Sequence, residues 1–207
     1  AFPNKRMNEK LFGYSSDKLH ANMLYKFEKK KKIGSSPSPK FVFVHMLMPH
    51  YPYIFDKDCK QQEDKPGFQE RQRYTAELTC TNTLLKKTIT SILKSSKKPP
   101  VITLQSDEGP FTYDEMRRSG EGTDWTTVSS EAIQTHMKIL NAYHLPGDDA
   151  KELLYSGVSP VNTFRLVFNT YFGTTMKMLE DKSYFIPHLN RPYDFYEITE
   201  KLTSFKK

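Results

Sequence analysis

Two short stretches of this sequence hold residues whose types and spacing could do chemistry. In "VITLQSDEGP" an apolar run from Val101 to Leu104 turns polar at Gln105 and then sets Asp107 and Glu108 against a Gly109–Pro110 break. Carboxylate oxygens suit hard or borderline divalent cations, and ligands in open α/β sheets collect just beyond the carboxyl ends of strands. Gly109 is expected to let the chain turn steeply. The plainer alternative is a solvated turn in which Asp107 caps the next segment. In "HMLMPHYPY", His45 lies inside an apolar run and His50 just past its end. Imidazole near neutral pH can ligate a metal or donate to an anion; the alternative is a backbone-bonded core histidine beside an exposed loop histidine.

Other stretches carry weaker signals. Ser159-Pro160-Val161-Asn162-Thr163 reads as a helix start, and His136 and His144, with no partners nearby in sequence, read as structural. There is no G-x-S-x-G elbow for serine catalysis, and no Walker A or G-x-G-x-x-G phosphate loop.

The elements that must position these residues follow from periodicity. Leu19, Met23, Leu24 and Phe27 fall at helical spacing, and "IGSSPSPK" (33–40) reads as a linker. "FVFVHML" (41–47) is β-branched and aromatic and predicts a buried strand, ended by prolines that block ladder pairing. From Arg71 to about Ser95, a stripe of Tyr74, Leu78, Leu85, Ile89 and Ile92 predicts a helix with one face on a core. The Val101 strand follows. "SSEA" caps a short helix, and "MKILNAYHLPG" is a third strand. "SPVNTFRLVFNTYFG" is a helix with Pro160 in its first turn and Phe164, Val167, Phe168 and Tyr171 as its apolar face. "SYFIP" and "YDFYEIT" suggest short edge strands. This strand–helix–strand rhythm predicts an α/β fold with a mostly parallel sheet flanked by helices. Residues 41–47, 101–105 and 138–144 are expected as its neighbouring strands. Residues 1–38 form a helical opening segment and Ser/Pro linker, and 39–207 the α/β domain.

The bulk numbers bound the rest. The chain has 207 residues, 37% hydrophobic and 13% aromatic, which is polar but too aromatic for a disordered chain. Its formal charge is +7. The excess sits in "KFEKKKKIG", "KSSKKPP" and the closing "SFKK", and lysine runs of this kind read as solvated loops and helix ends. A nucleic-acid surface would want interleaved aromatics and arginines, so no nucleic-acid partner is expected; attraction to an anionic glycan or lipid stays open. Cys59 and Cys80 form no C-x-x-C pair, and spacing leaves open whether they bond to each other. No apolar run is long enough to span a bilayer, and no signal-peptide pattern is visible. A start at Ala-Phe-Pro, with no Met, suggests a processed piece.

Taken in order, "PKFVFVHMLMPHYPYIFD", "PPVITLQSDEGP", "ILNAYHLPG" and "SPVNTFRLVFNTYFG" resemble the sulfatase-like branch of the alkaline phosphatase superfamily, including membrane-anchored proteins similar to lipoteichoic acid synthases and phosphoethanolamine transferases. The resemblance covers roughly residues 39 to 199. It implies a partial alkaline phosphatase-like fold and metal-assisted hydrolysis or transfer at phosphate or sulfate esters. It implies an extracytoplasmic, membrane-associated setting and a divalent metal cofactor such as zinc, manganese, magnesium or calcium. Asp107 falls on a metal-binding Asp, Glu108 on a position where such families carry a metal-binding His, and His50, more weakly His45, on residues that hold the substrate anion. The Glu108 departure keeps a possible ligand but adds negative charge where an anionic substrate would sit. No nucleophile is identified, so the resemblance also implies an amino-terminal half or membrane anchor of the same protein as partner. The chain is expected to be inactive alone. The alternative is a divergent, non-catalytic binding or structural domain of the same fold.

Overall fold

The computed structural model describes residues 16–37, 39–62, 70–110, 128–147, 150, 152–186 and 191–203. Within them the chain mixes helices with two small antiparallel sheets, and it divides into two compact units, residues 1–99 and 100–207. The closing "SFKK" lies outside the described residues.

The first unit is built on two helices. Helix α1 (Ser16–Lys30) buries Met23 and Phe27, with Leu19 and Leu24 partly covered. Helix α2 (Glu70–Ser95) packs against it. The core of this unit is Met23, Phe27, Ile54, Phe55, Cys80 and Leu84. The face α2 buries is not the expected one. Tyr74, Leu78, Leu85, Ile89 and Ile92 are only half-buried, whereas Arg73, Glu77, Cys80, Thr81, Leu84 and Thr88 lie inside. The inward stripe keeps helical spacing but is mostly polar: Arg73 and Glu77 bind the backbone of the segment packed against α2, and Thr81 donates to the Glu77 carbonyl of its own helix.

The Ser-rich stretch after α1 is no free linker. Ile33–Ser35 forms a 3-10 turn against the end of α2. A Cβ at Gly34 would overlap the Ile92 carbonyl and the hydroxyls of Ser95 and Ser96, so only glycine fits that approach. The Cys59–Cys80 disulfide then ties the loop after Phe55 to the middle of α2. Asp56 Oδ1 accepts from the amides of Asp58 (2.9 Å) and Lys60 (2.8 Å), closing that loop. His20 on α1 stacks on Phe55 at 4.4 Å between ring centres and hydrogen-bonds the Cys59 carbonyl.

Residues 41–47 overturn the strand expectation. They belong to no helix or strand, and Phe41 and Phe43 are each 79% exposed. An apolar, β-branched run favours a pleated, buried surface, but a strand needs a ladder partner, and the described residues supply none here.

In the second unit, β1 (Ile102–Gln105) pairs antiparallel with β2 (Asn141–His144), Gln105 opposite Asn141. The two expected strands do neighbour each other, but antiparallel, and no parallel pair occurs among the described residues. Helix α3 (Ser130–Met137) leads into β2. Its N-cap Ser129 accepts from the Ala132 amide, as "SSEA" suggested. Helix α4 (Pro160–Tyr171) has Pro160 at its start and Gly173, at φ +64°, just beyond its end. Strands β3 (Tyr184–Phe185) and β4 (Tyr196–Glu197) pair antiparallel, and α5 (Thr199–Thr203) packs on α3, where Gln134 Nε2 donates to the Lys201 carbonyl. The apolar face read for α4 is only partly buried. Val167 joins the core with Leu145 and Ala150, and Tyr171 packs on it, but Phe164 and Phe168 are exposed while Asn162, Thr163 and Leu166 are buried.

The disulfide closes a loop with a sequence separation of 21. Constraint of the unfolded chain by a loop of that size is worth about 3 kcal/mol. A Cys59→Ser/Cys80→Ser chain is therefore expected to lose about 3 kcal/mol of unfolding free energy, measured by chemical denaturation, and reducing agent should reproduce the loss in the parent chain only.

Candidate functional site

The acid turn sits where β1 ends. Ser106 closes the strand, its amide donating to the Leu140 carbonyl and its hydroxyl accepting from the Leu140 amide, both at 3.0 Å. Beneath, Gln105 Nε2 donates to Asn141 Oδ1 and to Thr163 Oγ1 on α4, each at 3.1 Å, and Thr163 also meets the Tyr143 hydroxyl at 2.8 Å. The strand end is thus pinned by polar contacts, and Asp107 and Glu108 follow it with exposed side chains. Asp107 Oδ1 accepts from the Glu108 amide at 3.1 Å, a local turn bond of the kind the plainer reading expects.

Gly109 works by space, not by a left-handed backbone. Its amide donates to the His136 carbonyl at 2.6 Å. A Cβ there would collide with the Thr135 and His136 carbonyl oxygens at the end of α3. This contact brings His136 to the acids. His136 is buried; its Nδ1 donates to the Gly109 carbonyl at 3.3 Å, and its Nε2 lies 3.8 Å from Glu108 Oε2. With Nδ1 holding the proton toward a carbonyl, Nε2 faces Glu108. That is how a metal-ligating histidine is oriented by its second partner, and equally how a protonated histidine pairs with a carboxylate.

His136 is the residue that sequence reasoning missed: nothing in its spacing ties it to Glu108, and only the packing of α3 on the glycine turn does. His144 is structural, as expected, its Nδ1 donating to the Pro100 carbonyl at 2.8 Å. Among the described residues no three His, Cys, Asp or Glu side chains gather closely enough to hold a metal ion. Glu108 and His136 are two convergent donors, short of the four of a closed zinc site, so a complete metal centre does not fit these residues alone.

His45 and His50 belong to the first unit and Asp107 and Glu108 to the second. Both histidines are exposed. His50 Nδ1 donates to the Tyr51 carbonyl at 2.5 Å, which leaves Nε2 outward. Its turn contains cis peptides at Met48–Pro49 and Tyr51–Pro52 and is held from below by Glu77. Glu77 Oε2 accepts from the amides of Ile54 (2.6 Å) and Phe55 (3.0 Å), and its carboxyl also bonds the His50 backbone. Arg73 donates to the Tyr53 carbonyl at 2.8 Å. Burial pushes the Glu77 carboxyl up to about 7, against the lowering effect of those amides and of Arg73.

The "SPVNT" stretch resolves into a structural clasp. Asp181 Oδ1 accepts from the Ser159 amide (2.8 Å), the Ser159 hydroxyl (2.6 Å) and Asn162 Nδ2 (3.1 Å), and Oδ2 accepts from the Tyr155 hydroxyl. Asn162, fully buried, also spans the Leu179 backbone, accepting from its amide and donating to its carbonyl. Burial alone would raise the Asp181 carboxyl; the hydrogen bonds from Ser159, Tyr155 and Asn162 outweigh it and hold the group below its usual range.

No family model matches the chain, and comparison with curated proteins and with solved structures returns no match.

Glu77 generates a pH prediction. Its carboxyl is raised from 4.5 to about 7 on folding. The folded state therefore binds the proton more tightly, and the stability this lends is full below about pH 4.5 and lost as pH rises through about 7. At about 1.4 kcal/mol per pH unit, the stability of the parent chain relative to Glu77→Gln should fall by about 3 kcal/mol between pH 4 and pH 8, read from denaturation midpoints. A difference independent of pH would show that folding does not shift the Glu77 carboxyl.

Proposed function

We propose that this chain is a portion of a sulfatase-like, metal-dependent hydrolase or transferase acting on phosphate or sulfate esters, inactive alone. Its nucleophile and remaining metal ligands come from an amino-terminal portion of the same protein. The observation that carries this reading is the convergence at the carboxyl end of β1. Asp107 and Glu108 lie exposed beyond the strand, and buried His136 presents Nε2 at 3.8 Å from Glu108. A divalent ion bound there would polarise an ester oxygen. Glu108 and His136 would supply part of its ligand set, with Asp107 beside them on the same turn. In this reading a mostly parallel, alkaline phosphatase-like sheet would need strands supplied by the amino-terminal portion. The Cys59–Cys80 disulfide supports an extracytoplasmic setting, since such bonds persist in oxidising compartments. No helix among the described residues is long and apolar enough to cross a membrane, so the membrane anchor of this reading belongs to the partner portion.

One observation favours a second reading. Glu108 already faces His136 Nε2 at 3.8 Å, a partner that carries charge only when protonated, so one of the turn's two carboxylates can be paired without metal. That suits a divergent, non-catalytic binding or structural domain.

The test is a titration of the chain, of Asp107→Ala and of Glu108→Ala with zinc and manganese, beside an assay with aryl phosphate and aryl sulfate esters. The expected result is no appreciable turnover and only weak metal binding, diminished in Glu108→Ala. Turnover abolished by Asp107→Ala would show a complete enzyme and sink the reading of a partial site. Metal binding that neither substitution changes would remove the metal reading and leave the binding domain.

A further inference from the structure

The first unit carries a groove that the ester-processing reading does not use. It has a volume of about 500 Å3 and is lined by Lys31, Lys86, Lys87, Thr90, Ser91 and Lys94. The pattern on α2 explains its charge. Lys86, Thr90 and Lys94 fall at i, i+4 and i+8 on one ridge of the helix, and Lys87 and Ser91 at i and i+4 on the next. Lys31 closes the opposite wall and is fixed there: its carbonyl accepts from the Ser91 hydroxyl at 3.2 Å. The tight seat of Gly34 on the Ile92 carbonyl holds the following turn in place.

The charge is uncompensated. Lys31 pairs with Glu28, but among the described residues Lys86, Lys87 and Lys94 have no carboxylate partner. The sequence offers none nearby in the chain, since no Asp or Glu occurs between Glu28 and Asp56 or between Glu77 and Asp107. Lysines in a last turn answer the helix dipole, which covers Lys94 but not Lys86 and Lys87 in the preceding turns. Ammonium groups on both walls of a concavity, with the Thr90 hydroxyl between two of them, suit a compact anion with several oxygens.

We propose that this groove binds a phosphate anion of more than one negative charge, either free or as the phosphorylated headgroup of a lipid. The ammonium groups of Lys86, Lys87 and Lys94 hold the oxygens from α2, Lys31 closes over them, and Thr90 donates a hydroxyl. The proposal is independent of the reading of Asp107 and Glu108.

The test uses the whole chain with inorganic tripolyphosphate, by calorimetry at low and moderate salt. Vesicles of phosphatidic acid, whose phosphomonoester can carry two charges, and of phosphatidylcholine are used in parallel. The expected result is saturable, one-to-one tripolyphosphate binding that weakens with salt and falls about thirtyfold in Lys86→Ala/Lys94→Ala. It should change little in Lys57→Ala, which removes one charge at Asp58 in the same unit. Binding to phosphatidic acid vesicles alone, with the same dependence on Lys86 and Lys94, would identify the source as a lipid headgroup. Equal loss in Lys57→Ala and in each single substitution, Lys86→Ala and Lys94→Ala, would show a response to net charge only and overturn the site. So would absence of binding to both probes. Lys86, Lys87 and Lys94 are exposed, so the substituted chains should keep the parent's denaturation midpoint.

Discussion

The first unit depends on a buried carboxylate. Glu77 is 1% exposed, in the middle of α2, and takes up the backbone of the turn from His50 to Phe55. That turn cannot satisfy itself. Pro49 and Pro52 lack amides to donate, and among the described residues the segment has only an isolated bridge, Phe55 to Gln61, in place of a neighbouring strand. Its buried N–H groups need acceptors, because an unpaired amide in the interior costs about as much as a lost hydrogen bond. The side chain of α2 supplies what a sheet would otherwise supply, and Arg73 does the same for the Tyr53 carbonyl. The polar inward face of α2, the full burial of Phe55 and the outward placement of His50 all follow from this arrangement.

The second unit solves a similar problem with different residues. Among the described residues each of its two sheets is only two strands wide, and such a ribbon is marginal by itself in water. Gln105, Asn141, Tyr143 and Thr163 knit the strands to α4, and Asn162 with Asp181 anchors α4 to the chain that follows it. Only then does the turn at Asp107–Gly109 have a fixed surface to lie against. The close approach of Gly109 to α3 places His136 beside Glu108. The candidate chemistry therefore rests on a glycine's missing side chain as much as on the acids.

Helix α2 serves two environments. Its middle faces a core and spends polar groups on backbone, while its later turns present lysines to solvent with no acid among the described residues to answer them. A buried carboxylate and a lysine groove on one helix do not neutralise each other, because Glu77 points inward and is turned toward its neutral form by burial. The positive field of the groove is left to external anions.

Local signals in the sequence were sufficient for most elements. The helices around residues 16–30, 70–95, 130–137 and 160–171, the strands at 102–105 and 141–144 and the two short strands near the end of the chain all answer to periodicity, caps and turn residues, which act over a few positions. The positions of Asp107, Glu108 and His50 at the ends of apolar runs were legible for the same reason. Pairing was not. Whether β1 and β2 run parallel, whether 41–47 finds a ladder, whether Cys59 meets Cys80 and whether His136 meets Glu108 depend on contacts between residues far apart in the chain, which no local pattern encodes. Burial was misread where polar groups find buried partners: Glu77, Arg73 and Asn162 are inside on backbone and Thr163 on the Gln105 and Tyr143 side chains, while Phe41, Phe43, Phe164 and Phe168 are out. Apolar periodicity reports which side chains avoid water. It does not report which polar side chains the tertiary structure draws inward to satisfy amides and carbonyls that folding has taken from water.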